Sequence, residues 1–219
     1  MTIFRVDDLY SSNEIQKSLK VGNTGGVRAC LAVDRSIVRF VLMINLLVGK
    51  SARENPYHDR IEGDVLIYTG AGKQGDQTLG GINKRIPQQY ELAFPIYGFE
   101  IIGSRRDKSI GPKRWRFLGL LEYLRHYPDT QIDASGSLRQ VWLFEFRLHR
   151  VPNMIPVESE AIISQEIMTS SRANSKLNGD DREIETDENI QIQEGDPVAI
   201  ESLRSRLLVM RPFEFEHLI

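Results

Sequence analysis

Tyr57, Asp59 and Tyr68 stand close together in YHDRIEGDVLIYTGAGKQGDQTLGGINKRI, residues 57–86. Aromatic rings beside a carboxylate suit the capture of a flat heteroaromatic base. The rings can sandwich the base while the carboxylate accepts a hydrogen bond from an exocyclic amine such as that of cytosine. Stacking on an aromatic face contributes roughly 1 to 3 kcal/mol, which offsets part of the cost of taking a nucleotide out of a duplex. Taken singly, each residue has a plainer reading: a strand tyrosine usually packs in a core or interface, and an aspartate between strands usually sits in a turn. The combination is what points to a base.

The stretch TGAGKQGDQ that follows holds Gly70, Ala71 and Gly72 directly after Thr69, with Lys73 next. Its glycines would let backbone amides approach a phosphate. It lacks the lysine-serine/threonine ending of a triphosphate-binding loop and does not match G-x-G-x-x-G. A tight hairpin or bulge accounts for it equally well. Asn83, Lys84 and Arg85 then supply one amide and two positive charges, and a second basic group follows at Arg105, Arg106, Lys108, Lys113, Arg114 and Arg116. Such groups are either solvated surface or phosphate contacts.

The elements that must position these residues are mostly strands. VRACLAV, IVRFVLMINLL, DVLIYTG, GFEIIGSR, WRFLGLLEYLRHY and RQVWLFEFRLHRV are rich in branched and aromatic residues and are separated by Gly, Pro, Asn and Asp. With so few helical patterns, this predicts an α+β fold built on a strongly curved, barrel-like sheet. One short helix is predicted over residues 12–20, where cap-type serines precede Ile15 and Leu19 at helical spacing. Another is expected near residues 80–86 or 87–92.

The 219 residues are 41% hydrophobic and 26% charged, enough for one domain of about 150 residues and something smaller. The single Cys30 excludes an internal disulfide and a Cys-rich zinc cluster, and four scattered histidines make a histidine metal site improbable. A reducing, intracellular compartment fits. The first residues, MTIFRVDDLYSS, do not have the make-up of a signal peptide. The apolar run at 37–48 is interrupted by Arg39 and Asn45 and falls short of the roughly 20 residues a membrane helix needs. It reads as buried structure, and no membrane association is expected.

Charge is unevenly distributed. Residues 1–155 carry 22 Lys+Arg against 16 Asp+Glu, and residues 156–219 carry 6 against 14. Residues 156–199 lack aromatics and become polar and acidic, as a flexible linker does. The alternative is an acidic segment that folds back on the basic part and competes with an anionic ligand. Beyond it, PVAIESLRSRLL has helical spacing and MRPFEFEHLI reads as a further helix starting behind Pro212. The expected organisation is a domain over 1–155, a linker over 156–199 and, over 200–219, either the helical start of a further domain or a short helix packing back.

Segment 57–86 resembles the SRA domain, the SET- and RING-associated module that reads modified cytosine. A Tyr-x-Asp loop precedes a strand ending in YTG, then a glycine-rich loop, then DQ-x-L followed two residues later by the segment ending in Asn-Lys-Arg. Upstream, LYSSNEIQKSLKVGNTGGVR, ending at Arg28, looks like the entry segment of bacterial members in modification-dependent restriction enzymes. Downstream, FLGLLEYLRHYPDTQIDASGSLRQVWLFEFRLHRV resembles their closing strands. The resemblance covers about residues 8–151, most loosely over 29–53.

This resemblance implies a curved, barrel-like sheet that flips 5-methylcytosine, 5-hydroxymethylcytosine or a related base out of double-stranded DNA. Tyr68 and Tyr57 would be the stacking walls, Asp59 the reader of the cytosine edge, and Thr69, Gly70, Ala71 and Gly72 the turn against the base. Arg28, Lys73, Asn83, Lys84, Arg85, Arg105 and Arg106 would lie at or behind the DNA. The spacing from Tyr57 to YTG is about one residue shorter than in the vertebrate pattern. MRPFEFEHLI looks like the first helix of an Mrr-type nuclease domain, through Phe215-Glu216. In that class the metal-binding aspartate and Glu-x-Lys come later, and this sequence contains no Glu-x-Lys triplet. The chain is therefore expected to bind DNA without a cofactor and not to cut it alone, with a divalent metal such as Mg needed only by a nuclease domain downstream.

The leading expectation is the recognition part of a bacterial, cytoplasmic, modification-dependent restriction endonuclease, which would commonly act as a homodimer. The alternatives are a PUA-like RNA-binding or regulatory nucleic-acid-binding module without base flipping, and a small nuclease with an unrecognised site.

Overall fold

The computed structural model describes residues 2–46, 55–102 and 113–177, with side chains to residue 174. The basic residues Arg105 and Arg106, and everything expected of 178–219, lie outside the described residues.

The elements, in chain order, are β1 (Ile3–Arg5), β2 (Leu9–Tyr10), α1 (Ser12–Leu19), β3 (Val27–Leu31), β4 (Ile37–Ile44), β5 (Arg60–Glu62) and β6 (Val65–Thr69). A single 3-10 turn (Asn83–Arg85), α2 (Gln89–Leu92), β7 (Ile96–Ile102), β8 (Arg114–Ile132), β9 (Leu138–His149), β10 (Met154–Pro156) and α3 (Glu160–Leu177) follow. The predicted strands and the helix at 12–20 are present. Of the two further helical segments, 80–86 holds the 3-10 turn and 87–92 holds α2. Helix α1 starts on a capping box: the Glu14 amide donates to Ser11 Oγ at 3.2 Å, and the Ser11 amide donates to Glu14 Oε2 at 2.6 Å. Ile15 and Leu19 are its buried positions.

The main sheet runs β3-β4-β7-β8-β9-β6-β5, with β2 beside β8, and β1 pairs with β10 in a separate ribbon. Among the described residues, β4 and β7 are the one parallel pair. The path of the described strands ends at β3 and β5, so the α+β fold is built on one large sheet, as expected, which is open and not closed into a barrel. One topological fact governs the site. The connection between parallel neighbours β4 and β7 leaves one side of the sheet, supplies β5 and β6 at the far side, and returns through the glycine-rich stretch, the 3-10 turn and α2. All of segment 57–86 belongs to this excursion.

Both faces of the sheet are covered. Phe40, Leu42, Ile44, Leu66, Tyr68, Phe144 and Phe146 form one apolar cluster, with Ile86 and Phe94 from the crossover. Phe4, Ile15, Leu19, Val41, Met43, Tyr97, Phe99 and Phe117 form the other. Alternate residues of β4 enter opposite clusters, which is why 37–48 reads as a continuous apolar run.

The sequence reading placed a flexible linker from residue 156. The structure instead has helix α3 over Glu160–Leu177. Ile163 and Ile167, four apart, pack against the second cluster, and Ser164 and Met168 are buried. Glu160 forms a close ion pair with Arg39, 2.5 Å apart.

Candidate nucleic-acid interface

Tyr57, Asp59 and Tyr68 do come together at one end of the sheet. Asp59 Oδ1 accepts from the Thr69 amide at 2.9 Å and Oδ2 from the Asn45 amide at 3.1 Å. One carboxylate thus joins the chain just past β4 to the end of β6. Asp59 keeps some solvent exposure, but protein packs densely around the carboxyl and raises its pKa to about 7, burial outweighing the hydrogen bonds that favour the anion. The Thr69 hydroxyl also bonds the carboxylate, which leaves it room for about one further donor.

Tyr68 lies in β6 opposite Phe144 and is only 4% exposed, packed within the first cluster. Its hydroxyl closely approaches Gly26, where an added Cβ would stand 2.7 Å from it. Burial pushes the Tyr68 phenol well above its ordinary value, and the charges of Asp59 and Tyr57 add to that. Tyr57 is half-buried and the more accessible ring of the pair. Burial raises its phenol too; the Arg139 charge and the Gly72 amide oppose the rise and Asp59 adds to it. Thr69 is buried, with its hydroxyl accepting from the His58 amide at 3.3 Å and from Gln131 Nε2 at 3.2 Å.

The glycine-rich turn is fastened from inside. The Gly70 amide donates to the Trp142 carbonyl at 2.8 Å, and the Gln77 amide to the Gln140 carbonyl at 2.9 Å. The Ala71 amide donates to Asn83 Oδ1 at 2.8 Å, and Asn83 Nδ2 donates to the carbonyls of Ala71 and Thr78, both at 3.1 Å. Gln77 Nε2 holds the carbonyls of Gly70 at 2.7 Å and Gly72 at 3.1 Å, while its Oε1 accepts from the Trp142 amide. The Gly75 amide donates to Asp133. A Cβ at position 70 would lie 3.1 Å from Gln77 Oε1 and Phe144 and 3.2 Å from Asn83 Oδ1, so any side chain there would press on the groups that fasten the turn. The amides of Gly70, Ala71, Gly75 and Gln77 are therefore occupied, leaving little of the turn to cradle a phosphate.

The residues expected at DNA divide accordingly. Asn83 is 3% exposed and fully engaged by the turn, so it supports the site from behind. Arg28 is 6% exposed and donates to Ser12 Oγ at 3.1 Å and the Gly25 carbonyl at 3.3 Å, behind the glycine pair that Tyr68 touches. Lys73 and Lys84 are exposed, Arg85 is partly exposed, and none of the three is ion-paired among the described residues. In the second basic group, Arg116 pairs with Glu100, Arg114 lies 3.6 Å from Glu14, and Lys113 sits over the Trp115 ring.

Arg139 escaped the sequence reading. It lies on β9, is 2% exposed, and donates through Nη1 to the Gly72 carbonyl at 2.7 Å and through Nη2 to the Pro56 carbonyl at 3.0 Å. Its guanidinium carbon is 6.0 Å from the centre of the Tyr57 ring. The available signal was RQVWLFEF, where a charged residue takes an inward position of an alternating strand. No cluster of three or more metal-ligating side chains occurs among the described residues, nor is any helix there long and apolar enough to span a membrane.

No family model matches the chain, and no curated protein does. Among solved structures, it is similar to the SUVH5 SRA domain in complex with fully methylated CG DNA, at 18% identity and a TM-score of 0.47 over 66% of this chain and 88% of that one. KRYPTONITE in complex with mCHG DNA and SAH matches at 14% identity and 0.47, over 66% of this chain and 32% of the other. The modification-dependent TagI restriction endonuclease matches at 20% identity and 0.44, over 66% of this chain and 49% of its own length. SRA is also the family that segment 57–86 resembles.

Proposed function

We propose that this domain binds double-stranded DNA containing modified cytosine and takes the extruded base beside Asp59, between Tyr57 and Tyr68. The observation that carries this reading is the Asp59 carboxyl: it is largely buried, has two tyrosines within electrostatic reach, and is held between the ends of β4 and β6 by two backbone amides and the Thr69 hydroxyl, with room for about one further donor. A carboxyl titrating near neutrality can accept from the exocyclic amine of cytosine and, when protonated, donate to the ring nitrogen beside it. Stacking on Tyr57 offsets part of the unstacking cost. Lys73, Lys84 and Arg85 supply sequence-independent attraction to the phosphate backbone.

Support for the class of ligand comes from the SRA resemblance of segment 57–86 and from solved relatives whose partners are methylated DNA. The same SUVH5 SRA domain is also seen bound to fully hydroxymethylated CG DNA. The TagI likeness favours a place as the recognition part of a modification-dependent restriction endonuclease, in which cutting would belong to a separate, metal-dependent domain and binding would need no cofactor.

The test is titration of otherwise identical methylated, hydroxymethylated and unmodified duplexes, with 2-aminopurine fluorescence reporting extrusion. Wild type should prefer a modified duplex, and Asp59→Ala and Tyr57→Ala should each lose that preference. Equal affinity of the wild type for all three duplexes rules the reading out.

A further inference from the structure

We infer that Arg139 is a positioning residue for base selection: it clamps the chain carrying Tyr57 to the glycine-rich turn and so fixes how far Tyr57 stands from that turn beside Asp59. The inference rests on the base-reading role proposed above. Arg139 extends the face of β9 that continues as Val141 and Leu143, both buried in an apolar cluster with Ile67. A guanidinium at such a position is costly without an acid beside it. Among the described residues no carboxylate pairs with it, and its Nε is buried without a hydrogen-bond partner. Its place is explained by its two carbonyl contacts. The Pro56 carbonyl immediately precedes Tyr57, and the Gly72 carbonyl belongs to the residue whose amide faces the Tyr57 hydroxyl.

One rigid fork therefore holds both the chain entering Tyr57 and the glycine-rich turn, and the cation lies towards the Tyr57 ring. The register carries the clamp further inward. Arg139 pairs across the hairpin with Gln131, whose side chain bonds the Thr69 hydroxyl, and the Thr69 amide holds Asp59. Tyr57 and Asp59 are thus set relative to each other through β8 and β9 as well as through the residue between them, whose amide donates to the same Thr69 hydroxyl. A lysine keeps the charge but cannot span two carbonyls with a planar fork.

The experiment compares wild type with Arg139→Gln and Arg139→Lys, measuring the ratio of affinities for methylated and unmodified duplexes of one sequence. In Arg139→Gln the ratio should fall about tenfold or more, with affinity for the unmodified duplex within about twofold of wild type. Arg139→Lys should recover part of the ratio. A second measurement needs no variant: in wild type, the Tyr57 and Gly72 amides should slow together in hydrogen exchange when methylated duplex binds, and not with unmodified duplex. A preserved ratio in Arg139→Gln, equal losses for both duplexes, or independent exchange of the two amides overturns the clamp. Failure of the wild type itself to distinguish the duplexes refutes the base-reading role instead.

Discussion

The two stretches of chain that border the candidate pocket are held in opposite ways. The glycine-rich turn is tied down at nearly every residue by Asn83, Gln77, Asp133 and the main chain of β9. Residues 56–59 lean on a few long-range contacts: Arg139 on the Pro56 carbonyl, Thr69 on the His58 amide, and the Asp59 carboxylate on β6 and the end of β4. The first is a fixed floor, and the second is a wall whose position depends on side chains that also do chemistry. Stability should concentrate in the floor and selectivity in the wall.

Asn83→Ala tests the floor most severely. It leaves the Ala71 amide and the carbonyls of Ala71 and Thr78 without their partner, in a place where Asn83 is 3% exposed. A loss of about 2 kcal/mol is expected, since each buried unpaired group costs roughly 1 to 3 kcal/mol and water reaches some of these part-buried groups. Urea denaturation measures it, and a loss below about 1 kcal/mol would mean that the turn holds itself. Tyr57→Ala tests the wall. Affinity for methylated duplex should drop by roughly 2 kcal/mol, the scale of one lost base stack, while stability changes by less than about 1 kcal/mol because the ring is only half-buried. If the two variants exchange these profiles, the comparison between floor and wall is wrong.

Asp59 belongs to both. Its folded pKa of about 7 lies above the ordinary 3.8, so the folded state holds a proton that the unfolded state has released. The corresponding stability is fully present below about pH 4 and is lost as pH rises to about 7. Between pH 6 and 8 the loss from this group is on the order of 1 kcal/mol. Thermal or urea unfolding of wild type and Asp59→Asn across that range isolates it, because histidine titrations are common to both. A difference that does not change with pH would place the carboxyl in water.

Much of this arrangement is legible in the sequence, and the remainder fails for identifiable reasons. The strands, α1 and the grouping of Tyr57, Asp59 and Tyr68 follow from short-range pattern, because branched residues, capping serines and the Tyr-x-Asp spacing are local signals. Helix α3 was hidden by its serines and polar residues: only Ile163, Ile167 and Met168 mark its packed side, within a segment that turns acidic soon afterwards. The roles of Asn83 and Arg139 were illegible because each depends on a partner far along the chain. Beside Lys84 and Arg85 the sequence leaves Asn83 open to a DNA contact or a structural bond, and its amide turns inward. Arg139 meets Pro56 across 83 residues of sequence. The open path from β3 to β5 likewise depends on long-range pairing.

The smallest expected effect concerns the charges in front of the pocket. Lys73 extends from the floor and Lys84 from the 3-10 turn behind it; both are exposed and neither is ion-paired among the described residues. Exposed lysines that meet phosphate displace counterions, so each should contribute close to one unit to the slope of log affinity against log salt. Lys73→Gln and Lys84→Gln should each reduce that slope by about one and weaken methylated and unmodified duplexes alike. The ratio between the duplexes should stay as in wild type, because a phosphate contact carries no information about the base. A lysine variant that changed the ratio and left the salt slope intact would move that lysine into the pocket wall, alongside Tyr57.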